Sequence, residues 1–235
     1  MKNILYTIIL SLLFSFSVFA DFEVGLDAYK QGDYVTALKE FKNLAKQGDA
    51  AGQAGLGLMY HDGKGVTQDY EEAAKWFRLA ADQGDVFSQD VIGSIHRDGK
   101  GVTQDYEEAA KWFRLAADQG DVFSQDVIGS IHRDGKGVTQ DYEEATKWFQ
   151  LAADQGYARA QYNLGYMYQK GLGVTFNPVI SLMWINIAAI NKYEKAKETL
   201  SYIISEMTSI ETGKNIAHAN RLAHQCIKNN YKDCS

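Results

Sequence analysis

Residues 62–97 read DGKGVTQDYEEAAKWFRLAADQGDVFSQDVIGSIHR, and residues 98–133 repeat those letters without a change. The identity runs on: Asp62 to Ala109 recurs as Asp98 to Ala145, and the copies first differ at Ala110 against Thr146. The period extends beyond the copy. Trp76, Trp112, Trp148 and Trp184 stand 36 residues apart, and so do Gly57, Gly93, Gly129 and Gly165. A period in this range marks stacked supersecondary units. Identity over such a length implies a recent internal duplication. Enzymes rarely gain from copying a mid-chain block, whereas a solenoid simply grows by one layer.

Each unit reads as two helices. In the second, Asp105 stands at the N-cap with Glu108 three residues on, a capping-box arrangement. Tyr106, Ala109, Phe113 and Ala116 follow at helical spacing, with Trp112 and Ala117 widening the apolar stripe. Gly120 supplies a left-handed stop. In the last unit Asn177 takes the cap and Pro178 the first helical position, where a missing N–H costs nothing. The first helix of each unit carries a glycine after an apolar residue, as in Ile92-Gly93 and Leu164-Gly165. A mid-helix glycine costs about 1 kcal/mol against alanine unless the space is needed, so its recurrence predicts a close helix crossing. The glycines of Asp98-Gly99-Lys100-Gly101-Val102 permit a tight loop between the two helices.

The two ends differ from the repeats. Lys2, an apolar run from Ile4 to Phe19 and Val18-Phe19-Ala20 read as a cleaved secretory signal over residues 1–20, with a mature chain beginning near Asp21. The run is short for a spanning anchor, which needs roughly 20 apolar residues. Without the signal the chain has 23 basic against 30 acidic residues and no basic run. That balance speaks against nucleic acid and anionic membrane surfaces as partners. Cys226 and Cys234 are the only cysteines. An even count in an exported chain favours a disulfide over two free thiols. A metal site is the weaker reading: two thiols are half a zinc shell, and the spacing of His218 and His224 does not demand an ion.

These residues resemble the Sel1-like repeat family, relatives of the tetratricopeptide repeats. Ala160-Gln161, Leu164-Gly165, Tyr168, Gly171-Leu172-Gly173-Val174, Trp184 and Ala188-Ala189 fit its pattern closely, as do Asp105-Tyr106, Trp112-Phe113 and Ala116-Ala117. The resemblance implies an all-α fold, a right-handed α/α solenoid of helix-turn-helix repeats with a C-terminal helical cap. Residues 21–51 form a tetratricopeptide-like first unit with a short Gln31-Gly32-Asp33 turn, and 52–192 hold the repeats of 36-residue period. Residues 193–235 read as closing helices, with a second capping box at Thr208-Ser209-Ile210-Glu211 ahead of Ile216, Ala219, Leu222, Ala223 and Cys226. One departure stands out: the family aromatic of Tyr60 and Tyr168 becomes His96 and His132 in the duplicated units.

Tests for chemistry return little. A phosphate loop needs four residues between its glycines and a hydroxyl after the lysine, and Gly93 to Gly101 has neither. Asp98 stands alone where a calcium loop needs alternating carboxylates. His96 and His132, one layer apart, are too distant to share an ion and read as packing residues. Glu107-Glu108 and Glu143-Glu144 serve the helix dipole and cap. Some cysteine-rich Sel1-like proteins are linked to β-lactam binding or hydrolysis, but they carry a cysteine pair in each repeat, and the repeats here have none. No catalytic residue, metal or cofactor is expected.

By tetratricopeptide geometry, first-helix positions line a concave face. They are Phe87, Asp90, Ser94 and Arg97, then Phe123, Asp126, Ser130 and Arg133, then Tyr162, Tyr166 and Gln169. An aromatic flanked by Asp and Arg can grip an extended segment or a helix, although Phe87 and Phe123 could equally pack between layers. The expected function is a monomeric periplasmic or secreted scaffold or adaptor that binds a protein or peptide partner. The alternatives are an inhibitor neutralising a toxic enzyme and, far behind, a cell-wall hydrolase.

Overall fold

Short side-chain caps cut the chain into helices of nearly one length. Asp49, Asp85 and Asp121 each accept a hydrogen bond from the backbone N–H three residues on. Asp69, Asp105 and Asp141 do the same. Each bond satisfies a helix N-terminal donor that would otherwise have no partner. Gly63, Gly99, Gly135 and Gly171 stop four helices in the left-handed region, with φ between 65° and 68°. Asn177 caps its helix through two backbone N–H groups, with Pro178 at the first position.

The computed structural model describes residues 21–205, 210–232 and 234, and all twelve elements found among them are helices. The export signal and the capping box expected at Thr208 lie outside the described residues. Helix α1 covers 21–31. Then come α2 (Tyr34–Lys46), α3 (Ala50–Asp62), α4 (Tyr70–Asp82), α5 (Val86–Asp98), α6 (Tyr106–Asp118), α7 (Val122–Asp134) and α8 (Tyr142–Asp154). The last four are α9 (Ala158–Lys170), α10 (Pro178–Ile190), α11 (Glu194–Ser205) and α12 (Ile210–Lys228). Consecutive helices pack as hairpins, and the fold is an all-α solenoid, as the sequence predicts. The chain divides into two compact units within α6, after Trp112.

In the first unit, Phe41 and Phe77 are buried among the alanines of the second helices and Leu56, Met59, Ile92 and Ile95 of the first helices. Full burial of such a side chain stabilises by about 1.5–3 kcal/mol. In the second unit Phe149 and Ile185 take the equivalent places, and Trp184, Leu164, Met167, Met183 and Ile187 are buried beside Phe149. The predicted close crossing is real. A Cβ on Gly57 would stand 3.1 Å from the Phe77 ring, one on Gly129 would meet Phe149 at 2.8 Å, and one on Gly165 would meet Ile185 at 2.7 Å. The second glycine of each loop touches the preceding layer: a Cβ on Gly101 would lie 2.4 Å from the Tyr70 carbonyl carbon, and one on Gly173 2.1 Å from the Tyr142 oxygen.

Each unit has a buried set of glutamine hydrogen bonds. Gln125 donates to the Ala117 carbonyl at 3.2 Å and accepts from Gln155 at 2.9 Å. Gln161 repeats this with Ala153 and Asn191. Gln53 accepts from Gln83 at 2.7 Å, and Gln89 donates to Ala81 at 3.2 Å. Both ends of the Gln125 and Gln161 amides are therefore used, which is what keeps a buried Gln from being a liability. At the C-terminal end the Asn191 amide donates to the Tyr231 hydroxyl, whose ring lies over Gly156. Tyr231 sits inside the loop closed by the Cys226–Cys234 disulfide, as the even cysteine count favoured. Helix α12 buries Ala219, Ala223 and Cys226 against α10.

Two glycines with opposite surroundings test the crossing. Gly213 in α12 has open space where a Cβ would go, so Gly213→Ala is expected to stabilise by about 0.5–1 kcal/mol through helix propensity. Gly165→Ala gains the same propensity but meets Ile185 and the Ser181 carbonyl, and is expected to destabilise by about 1–3 kcal/mol net. Urea unfolding of both variants settles the signs, and a stabilised Gly165→Ala would end the argument for close crossing.

Candidate functional site

Two grooves open between neighbouring first helices, one in each unit. The first lies between α3 and α5 and has a volume of about 300 Å³. Its floor is apolar, built from Leu58, Phe77, Val91 and Ile95, and its walls carry Asp62, Asp90, Ser94 and Asp98. Phe87 stands at its edge, 50% exposed and edge-on to Phe77 with ring centres 6.0 Å apart. The second groove, about 560 Å³, lies between α7 and α9 and is polar. Arg133, Tyr142, Tyr162, Asn163, Tyr166 and Lys195 line it. Tyr162 has Lys195 Nζ 5.3 Å above its ring and packs against Tyr193.

The sequence-derived face divides among these surroundings. Phe87, Asp90 and Ser94 meet in the first groove, and Arg133, Tyr162 and Tyr166 in the second. Gln169 is exposed and Ser130 half-buried, and neither lines a groove. Arg97 and Arg133 are expected to reach outward, but each folds back on its neighbour: Arg97 Nε donates to Asp98 at 2.7 Å, and Arg133 Nε to Asp134 at 2.7 Å. A flexible arginine next to a carboxylate in a last helical turn finds that partner first.

Asp126 departs furthest from its expected place. It is wholly buried, and its carboxylate accepts from Arg159 Nε and from Asn163 Nδ2, the latter at 2.8 Å. Burial pushes this carboxyl up from its ordinary value, and the Arg159 guanidinium and the Asn163 hydrogen bond oppose the shift. The guanidinium also covers Phe123 at 5.3 Å and Tyr157 at 5.7 Å. The sequence reading missed Arg159 because it lies in the first turn of α9, outside the family pattern. Among the described residues no group of three or more His, Cys, Asp or Glu side chains is placed to hold a metal ion. No helix among them is long and apolar enough to cross a membrane.

A family profile described as Sel1 repeat matches residues 50–85, 88–121, 124–157 and 158–193. A solved structure of a protective antigen present in uropathogenic Escherichia coli strains, displaying an SLR fold, aligns at a TM-score of 0.76 with 34% identity. The alignment covers 87% of this chain and 46% of that one, so this chain spans about half the length of that relative. A Sel1 repeat protein from Oxalobacter formigenes aligns at 0.74 with 27% identity, over 84% of this chain and 83% of that one. A putative Sel1 repeat protein from Klebsiella pneumoniae subsp. pneumoniae, at 22% identity and a TM-score of 0.50, shares the fold, with 79% and 92% coverage. No curated protein matches the chain.

The histidines that replace tyrosine belong to a latch between layers. Glu108 Oε1 accepts from Trp112 Nε1 and from Arg78 Nη2, both at 3.0 Å, and the guanidinium lies 5.2 Å from the Trp112 ring. His96 Nε2 accepts from the same Arg78 Nη2 at 3.0 Å, so its proton is on Nδ1. In the second unit Glu144 joins Trp148 and Arg114 in the same way, beside His132. The reciprocal half of the expected capping box is therefore replaced: the Glu108 backbone N–H meets Asp105, but its carboxylate serves the latch. Burial would raise the Glu108 carboxyl, yet the bonds from Arg78 and Trp112 outweigh it and hold the group below its ordinary value.

Burial and the neighbouring arginine hold His96 and His132 below the ordinary histidine pKa. The unfolded chain then takes up protons that the folded chain refuses, so this stability is fully present above about pH 6.5 and is lost as pH falls toward the depressed folded value. Melting temperatures between pH 7.5 and 5.5 are expected to fall less steeply in a His96→Gln/His132→Gln variant, which keeps an acceptor for each arginine. Identical slopes would show that the pair does not titrate on unfolding.

Proposed function

The chain belongs to the Sel1 repeat family, and from that premise we propose that it is an exported interaction scaffold holding a partner protein or peptide in the grooves between its first helices. The observation that carries this reading is Phe87. A large aromatic side chain left half-exposed at the edge of an apolar groove is the usual form of a binding anchor, since aromatics contribute most of the energy at protein interfaces. Tyr162 and Tyr166 give the second groove the rigid, amphipathic surface that interfaces favour. Repeats of this family generally act through protein contacts, which agrees with that chemistry.

Export rests on the sequence of residues 1–20, and the disulfide at Cys226–Cys234 fits an oxidising compartment. The periplasm or the outside of the cell is the proposed location. Amino-terminal sequencing of protein recovered from those fractions is expected to begin at Asp21. An intact Met1 there would remove the cleaved-signal reading.

The binding face is tested by affinity capture from envelope extract with the purified chain as bait. Phe87→Ala combined with Tyr166→Ala is expected to weaken capture of the recovered partner at least tenfold, about 1.4 kcal/mol. Undiminished capture by a variant that melts like the wild type would place the partner elsewhere.

A further inference from the structure

We propose that the groove between α7 and α9 takes up an aspartate or glutamate side chain of the partner, its carboxylate paired with Lys195 and hydrogen-bonded by Tyr166. This rests on the scaffold reading above and narrows it to one side-chain chemistry. The observation behind it is a set of equivalent positions in two successive layers of the second unit, where one cation is neutralised within the chain and the other is not. In the earlier layer Arg159, in the first turn of α9, reaches back to α7. Its Nε donates to Asp126, and Asn163 Nδ2 gives that carboxylate a second bond at 2.8 Å. Thirty-six residues on, Lys195 and Thr199 of α11 stand in the register of Arg159 and Asn163, and Tyr162 of α9 stands in the register of Asp126.

Both donors are kept and the acid is not. Lys195 Nζ lies 5.3 Å from the centre of the Tyr162 ring, and Thr199 Oγ1 donates to the Tyr162 hydroxyl at 3.4 Å. A ring face attracts an ammonium through its quadrupole but brings no opposite charge, and it cannot take up all three N–H donors of a lysine. Lys195 is exposed and makes no ion pair among the described residues. Tyr193 packs on Tyr162 with ring centres 5.4 Å apart, so the ring beneath the ammonium is a supported platform.

The rest of the groove fits an acid. The other charges on its walls cancel, since Arg133 Nε donates to Asp134 at 2.7 Å, and Lys195 is left in excess. Tyr166 stands one turn beyond Tyr162 on α9, is exposed, and brings a hydroxyl donor to the same groove. The two oxygens of a carboxylate can accept from an ammonium and a hydroxyl together, and such charge-assisted bonds are the stronger kind. Leu172 and the rings of Tyr142 and Tyr162 offer apolar surface to residues on both sides of the acid, which favours a side chain within a segment over a chain end.

The probes are acetylated tripeptides titrated into the purified protein and followed by NMR: Leu-Glu-Leu, Leu-Gln-Leu and Leu-Lys-Leu with amidated ends, and Leu-Gln-Leu with a free carboxyl end. The glutamate peptide is expected to give saturable shifts at Tyr162, Tyr166 and Lys195. The amidated glutamine peptide is expected to bind roughly fivefold more weakly and the lysine peptide to leave these residues unmoved. Lys195→Gln is expected to weaken the glutamate peptide by roughly fivefold. Equal binding of the glutamate and amidated glutamine peptides, shifts confined to other helices, or an unchanged affinity in Lys195→Gln would each overturn the proposal. So would a free-ended glutamine peptide that matches the glutamate peptide, since the site would then belong to a chain end. The peptide comparison uses the unaltered protein, so it decides even if a variant fails to fold. If partner capture is lost in Phe87→Ala combined with Tyr166→Ala while the glutamate peptide binds no better than its glutamine counterpart, the scaffold reading stands and the acid falls. If capture also survives that double change, both fall.

Discussion

A missing methyl group sets the spacing within each layer. The first helix of each hairpin presents a glycine where the second helix seats Phe77, Phe149 or Ile185, and any Cβ there would stand about 3 Å or less from the incoming side chain. Close approach lets these side chains be wholly buried in a layer only two helices thick. The surrounding alanines, Ala73, Ala74 and Ala81 in α4 and Ala145, Ala152 and Ala153 in α8, follow from the same need for thin walls. Larger residues at those positions would push the helices apart and forfeit the contacts that hold the apolar centre at solid density.

Polar chemistry then fixes which layer follows which. The buried glutamines join each second helix to the first helices around it, and the Arg78–Glu108–Trp112 and Arg114–Glu144–Trp148 latches join consecutive second helices. Such contacts give register more than net stability, because burying a polar pair costs nearly what the pair returns. Thr146, the first residue to differ between the copies, adds another: its hydroxyl contacts the carbonyls of Tyr142 and Leu172, the latter in the loop of the next layer.

Nearly all of the architecture was legible in the sequence, because caps, stops and the Trp-Phe-Ala-Ala stripe are local signals and each recurs every 36 residues. The candidate site was only half legible. Spacing places Phe87, Asp90 and Ser94 on one face, and all three line the first groove. It could not tell Asp90 from Asp126, since the two sit in identical helices and Asp126 is set apart by Arg159 and Asn163, which arrive from the helix after. Arg97 and Arg133 read as outward grips because one-dimensional spacing does not register an adjacent aspartate competing for the guanidinium. The histidines read as packing for the same reason, their partner lying 18 residues back on the previous layer.

The latch is missing its outgoing arginine at the end of the array. Gln150 and Asn186 stand in the register of Arg78 and Arg114, Ile180 replaces the glutamate, and the buried indole N–H of Trp184 has no acceptor among the described residues. Asn186 instead donates to Asn220 of α12. The interior layers thus join through arginine and glutamate, and the last repeat joins α12 through a pair of asparagine amides instead.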